Sequence, residues 1–222
     1  MSDIALPQAS LFLGIIPALI LLYISIKGYE GYYKDKLIFL TFIGGIIAGA
    51  ITVVIETFSS GIGILFILLF PIIEQLFKTM ILNFGRFQGK KETTVYGLTL
   101  GLGFGSIFTP FSMVTANIQA GDFFVLILIV IGSFGIILLQ GATGVIIGYG
   151  IYDGKLLKYL LYAIILHLPI TSIIFLTQYF NIAYLQIGLI IYGLIIYWYI
   201  TTKIMSKILS HKRQRKSNFS TK

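Results

Sequence analysis

The chain has 222 residues, 57% of them apolar and 11% charged, with a mean hydropathy of +0.96 and a formal net charge of +8. A soluble domain of this length has too little interior to hide so much apolar surface, and uninterrupted apolar runs such as Leu11 to Ile26 lack the two-residue alternation of a transmembrane β-barrel. The composition specifies an all-α, multi-pass membrane protein whose first partner is the lipid bilayer.

Seven runs approach or exceed the roughly 18–20 apolar residues that cross a hydrocarbon core about 30 Å thick. They predict transmembrane helices over about 9–28, 37–57, 62–84, 94–118, 123–150, 155–179 and 182–208. Met1 to Ser10 contains no Lys or Arg and no clear cleavage site follows the first run, so that run reads as a retained helix rather than a signal peptide. The fourth helix is rich in Gly and carries Pro110, which makes a kink an expectation there. The fifth is longer than a straight crossing needs, and Gly141 to Gly144 offer a place to tilt or break. Gly97, Gly101, Gly103 and Gly105, with Gly141, Gly144 and Gly148, give small-xxx-small spacings that let two backbones approach closely. Connections are about twelve residues or shorter, so residues 1–208 form one bundle, 209–222 form a basic tail, and no extramembrane catalytic module is present.

Charge placement gives an orientation, because Lys and Arg are retained on the cytoplasmic side. Lys27, Lys34 and Lys36 lie at the first connection, Arg86, Lys90 and Lys91 at the third, Lys155 and Lys158 at the fifth, and Lys203 onward at the C-terminal end. The second, fourth and sixth connections have none, while Asp3, Glu56 and Asp122 fall on the other side. An odd number of crossings follows, with the N-terminus outside and the C-terminus cytoplasmic, in a multi-pass protein of the cell membrane. The tail His211-Lys-Arg-Gln-Arg-Lys216 is then a topology signal that attracts anionic headgroups by about 1 kcal/mol per charge, not a nucleic-acid site. With no Cys there is no disulfide, thiolate nucleophile or Cys-ligated metal.

Chemistry must therefore lie within the bundle or at its rim. Glu74 and Lys78 sit one turn apart near the centre of the third helix, where an ionisable side chain costs roughly 2.5–3.5 kcal/mol to insert and so pairs or performs a task. Their i, i+4 order, with Glu first, favours a direct pair. Gln75 in the same helix, Thr109 and Ser112 in the fourth, Gln140 and Thr143 in the fifth, and His167, Thr171 and Ser172 in the sixth fall at similar depth. Ser and Thr at such positions are commonly interhelical hydrogen-bond glue, worth about 0.6 kcal/mol each.

Pro71-Ile-Ile-Glu74-Gln75-Leu-Phe-Lys78, then Val95-Tyr-Gly-Leu-Thr-Leu-Gly-Leu-Gly-Phe104-Gly-Ser-Ile-Phe108, then Gln140-Gly-Ala-Thr-Gly144 and Leu166-His167 resemble the PrsW family of intramembrane proteases, distant relatives of the CAAX-processing prenyl endopeptidases. The resemblance covers about residues 65–175. It implies a site in which a Glu-Glu-x-x-Lys helix, a Phe-x-x-x-Glu helix and His-bearing helices converge to activate water, with a divalent metal. Glu74 and Lys78 match the first motif and Gln75 replaces its second acid. Phe104 matches the second motif but Phe108 stands in place of its Glu; Gln140 stands in place of a His, and His167 matches a later one. A catalytic zinc takes about three protein ligands plus an open position, and Glu74 with His167 supply two.

The resemblance therefore implies a pseudoprotease without cofactor, retaining a remnant site of Glu74, Lys78 and His167 flanked by Gln75, Phe108, Gln140, Thr143 and Thr171, and binding another membrane protein or transmembrane segment. Two other readings stay open: an active divergent metalloendopeptidase with Glu74 and His167 on zinc, and a small-solute or ion carrier. The topology is testable directly. Ala120→Cys is expected to react with an impermeant thiol reagent in intact cells, while Gln88→Cys and Ser217→Cys are expected not to; labelling of 217 but not 120 would reverse the orientation.

Overall fold

A computed structural model describes residues 5–59, 62–115, 123–180 and 182–208, and among these every regular element is helical. The helices are α1 (Ala5–Ile26), α2 (Asp35–Ser59), α3 (Leu65–Leu82), α4 (Thr93–Gly105), α5 (Phe108–Thr115), α6 (Phe123–Tyr152), α7 (Leu156–Phe180) and α8 (Gln186–Ile200). A 3-10 turn at Ala183–Leu185 precedes α8 and a π-helical turn at Thr201–Met205 follows it. Asp3, Asp122, the end of the expected fourth helix and the basic tail 209–222 lie outside the described residues.

Five helices are long and apolar enough to cross a bilayer: Asp35–Ser59, Leu65–Leu82, Phe123–Tyr152, Leu156–Thr177 and Ala183–Ile208. The sequence predicts seven, and the difference lies in the first and fourth segments. The apolar stretch of α1, Ser10–Ile26, is shorter, and the expected helix 94–118 is divided into α4 and α5 by a turn at Ser106 and Ile107. Pro110 explains the division, since it has no N–H to return to the Ser106 carbonyl and its ring crowds that position. Gly14 of α1 sits against the break: a Cβ there would run into the Ser106 carbonyl and Pro110.

The centre of the bundle is α4, whose thirteen residues are all buried. It lies between α2 and α6, and glycine sets the spacing on both sides. Toward α6, a Cβ at Gly97 would strike the Gly144 carbonyl, one at Gly101 the Gln140 carbonyl, and one at Gly148 the Thr93 carbonyl. Toward α2, Gly45 meets the Leu100 carbonyl, Gly49 the Phe104 carbonyl, and Gly103 the Phe42 carbonyl. Backbone thus packs on backbone through a three-helix slab, which is how helices associate when lipid removes the hydrophobic drive between them. The anticipated break at Gly141 to Gly144 is absent and α6 runs unbroken for 30 residues. Those glycines are occupied by α4, so they fit the contact instead of loosening the helix.

Around the slab, α8 packs on α6 through Gly135 and Gly193, each against the other helix's backbone, and α3 and α7 close the remaining side. Large apolar side chains such as Ile20, Phe39, Leu68, Ile165 and Ile195 face outward, as lipid contact requires. Ties between helix ends gather the basic connections at one rim: the Lys34 amide donates to the Tyr96 hydroxyl at 3.0 Å, Ser25 and Tyr197 hydroxyls meet at 2.5 Å, and Lys207 lies 5.3 Å from the Tyr149 ring centroid.

Gly101→Ala is expected to lower stability in detergent by about 1–3 kcal/mol through overpacking. Gly44→Ala, whose nearest neighbour would be Leu100 Cδ1 at 3.8 Å, is expected to hold or raise stability, alanine being the better helix former by about 1 kcal/mol. Equal losses in thermal unfolding would show that the α4–α6 approach is not limiting.

Candidate functional site

At 100° per residue, Phe70, Glu74, Gln75, Lys78 and Leu82 share one face of α3, and all are buried. Pro71 and Thr79 complete that face, while Leu68, Leu69, Ile72, Leu76 and Met80 lie on the lipid side. The amphipathic pattern of α3 therefore turns Glu74, Gln75 and Lys78 inward, eight to four residues before its end, or about 12–6 Å along the axis, with Thr79 beside them.

Their partners come from α6 and α7. Glu74 Oε2 lies 3.0 Å from His167 Nε2 and accepts from Gln140 Nε2 at 2.8 Å. Lys78 Nζ donates to Gln140 Oε1 and, at 2.7 Å, to Thr143 Oγ1. Gln75 Nε2 meets His167 Nδ1 at 2.9 Å, so adjacent residues of α3 grip both ring nitrogens of one histidine. Thr143 Oγ1 also donates to the Gln140 carbonyl at 3.1 Å, and Thr79 Oγ1 to the Gln75 carbonyl at 2.7 Å. Glu74, Gln75, Lys78, Gln140, Thr143 and His167 are each no more than 3% exposed.

The expected direct pair of Glu74 with Lys78 is not formed. The Gln140 amide stands between them, its nitrogen on the carboxylate and its oxygen on the ammonium. Spacing along one helix brings two side chains within reach of each other, but groups from α6 and α7 reach them first. Beneath the ammonium lies the Phe104 ring, 5.1 Å from Nζ to centroid, a favourable cation–π placement in a site without water access. Phe108 packs 6.1 Å from Phe104, centroid to centroid, and extends that apolar floor. Thr171 does not join the network; its hydroxyl returns to the His167 carbonyl at 3.4 Å in its own helix.

One residue of interest escaped the sequence reading. Glu56, taken as an outer acid near a connection, is within α2, has Oε2 buried without a hydrogen-bond partner, and lies close enough to Glu74 for the carboxylates to interact electrostatically. Gln75 Oε1 and Thr109 Oγ1 are likewise buried and unpartnered. The predicted span 37–57 already contains Glu56, and α2 continues three residues past it.

The donor set does not fit a catalytic zinc. Such a site takes about three protein ligands and an open position, and among the described residues no group of three or more His, Asp, Glu or Cys comes together. Glu74 and His167 meet each other, the amides of Gln75 and Gln140 present nitrogen toward them, and a cation stands one amide away.

Lys78→Ala is expected to destabilise the protein by about 3–5 kcal/mol by leaving the buried carboxylate and amide uncompensated, and more than Glu74→Gln combined with Lys78→Ala. Additive losses on thermal unfolding would show that the two charges are uncoupled. Compared with known proteins, the chain matches no protein-family model, no curated protein and no solved structure.

Proposed function

We propose that this chain is a degenerate relative of the PrsW-type intramembrane proteases, a seven-span protein of the cell membrane with its N-terminus outside and its basic rim in the cytoplasm, which binds a transmembrane segment of another membrane protein without cutting it. α1, with 22 residues, and the α4–α5 pair would supply the two crossings beyond the five long apolar helices.

The observation that carries the binding reading is the contrast between satisfied and orphaned polar groups. Both His167 nitrogens and the Lys78 ammonium are committed to neighbouring side chains, so the imidazole has no lone pair free to act as a base, and Glu74 with His167 offers two of the about three ligands a catalytic zinc takes. Glu56 Oε2, Gln75 Oε1 and Thr109 Oγ1, on α2, α3 and α5, are buried and unpartnered. Orphaned polar atoms are costly in an apolar interior, and a polar side chain carried in by a neighbouring helix would satisfy them.

The protease alternative draws on one specific contact, the 3.0 Å approach of Glu74 to His167, which resembles an oriented acid–imidazole pair. The readings part experimentally. A photo-crosslinker replacing Ile72, on the lipid side of α3, is expected to capture a membrane protein in native membranes, and Glu56→Gln with Thr109→Val to reduce capture severalfold while the purified protein stays folded. Purified protein is expected to contain no stoichiometric zinc and to leave reconstituted transmembrane peptides intact. Metal-dependent cleavage abolished by Glu74→Gln would establish the protease instead, and Glu74-dependent solute flux in liposomes a carrier.

A further inference from the structure

At the basic rim, α6 and α7 are joined by the short turn Asp153-Gly154-Lys155. Gly154 adopts φ +70°, the Asp153 amide donates to the Tyr149 carbonyl at 2.8 Å, and the Lys155 amide donates to the Gly150 carbonyl at 3.0 Å. The reversal sets the first turns of α7 against the last turn of α6. Gly150 then lets Tyr159 lie on the α6 backbone, for a Cβ there would come within 2.5 Å of Tyr159 Cβ. Tyr149 and Tyr159 meet edge to face at 5.3 Å, and Tyr159 and Tyr162 do the same at 6.0 Å, so three rings form a continuous row.

A lysine is held at each end of that row. Lys158 Nζ lies 5.7 Å from the Tyr162 centroid. From the other side, Met205 and Ile208 are buried at 1% and 2% exposure, which anchors the chain after the π-helical turn, and Lys207 Nζ lies 5.3 Å from the Tyr149 centroid. Asp153, the acid of this turn, is engaged with Lys155 at 3.2 Å. Directly below Lys158 on α7, Leu157, Leu161 and Ile165 form a ridge at i, i+4, i+8 that is 70%, 50% and 59% exposed.

We propose that this rim is a binding site for the head group of an anionic phospholipid. Lys158, directly above the ridge, receives the phosphate, Lys207 at the far end of the tyrosine row adds its charge to the head-group region, and an acyl chain runs along the Leu157–Leu161–Ile165 ridge. The apolar ridge beneath the cations selects lipid over free phosphate. The proposal is independent of what the buried polar network binds.

The test uses the full chain purified in nonionic detergent, with phosphatidylglycerol, phosphatidylcholine or inorganic phosphate added. Phosphatidylglycerol alone is expected to raise the melting temperature and to remain as a discrete adduct in native mass spectra. Lys158→Gln with Lys207→Gln is expected to weaken that binding about tenfold without changing the lipid-free melting temperature, and Lys158→Arg with Lys207→Arg to retain it. Lys36→Gln with Lys90→Gln removes the same charge from other connections of the rim and is expected to leave binding intact. Equal weakening by both glutamine pairs, an equal effect of inorganic phosphate, or no preference over phosphatidylcholine would each overturn the proposal.

Discussion

The buried polar core turns on one amide. Gln140 places its nitrogen on the Glu74 carboxylate and its oxygen on the Lys78 ammonium, joining opposite charges that do not themselves touch. In a medium that cannot solvate ions, this matters more than either charge alone, because removing one member leaves the others uncompensated. The amide is where it is because α4 and α6 pack backbone to backbone. A Cβ at Gly101 would strike the carbonyl of Gln140 itself, and the Gly97–Gly144 contact one turn away holds the same approach. Glycine spacing, helix separation and charge neutralisation are thus one constraint seen at three levels.

That closure shapes what the site can do. A general base needs a lone pair free to take a proton, and a catalytic metal needs about three donors with a vacant position. Here the imidazole is gripped on both sides by successive residues of α3, the ammonium is shared between α6 side chains and rests over Phe104, and Phe108 adds only apolar surface. The arrangement suits a rigid tie between α3, α6 and α7. Among the buried side-chain atoms without a hydrogen-bond partner are Glu56 Oε2 on α2, Gln75 Oε1 on α3, Thr94 Oγ1 on α4 and Thr109 Oγ1 on α5.

Much of this was legible in the residues. Helix positions follow from apolar run length, and the second, third, sixth and seventh runs end within a few residues of the observed helices. Counting inward from the run ends brings Gln75, Thr109, Ser112, Gln140, Thr143, His167, Thr171 and Ser172 to the depth of Glu74; Gln75, Gln140, Thr143 and His167 converge on Glu74 and Lys78, whereas the Thr171 and Ser172 hydroxyls return to carbonyls of their own helix. What failed did so for three-dimensional reasons. Glycine in α6 was read as a possible break, but whether glycine loosens a helix or seats a neighbour depends on what packs there, and α4 does. Pro110 did divide its segment, because no neighbouring donor changes its missing N–H. The direct Glu74–Lys78 pair was inferred from a single helix, whereas the competing amide arrives from a residue more than sixty positions away. Glu56 lies inside the predicted second helix, next to its last residue, and counts there only as an outer-side charge, because a single helix does not show what its side chain faces.

The most direct test of the central claim is a double-mutant cycle of Glu74→Gln and Lys78→Ala, measured by equilibrium unfolding both in the native chain and in the Gln140→Leu background. If the amide carries the interaction, the cycle shows a coupling energy of about 1 kcal/mol or more in the native chain, and that coupling collapses once Gln140 is replaced. A coupling of the same size in both backgrounds would mean that the two charges find each other directly, and that Gln140 is not what holds the core together.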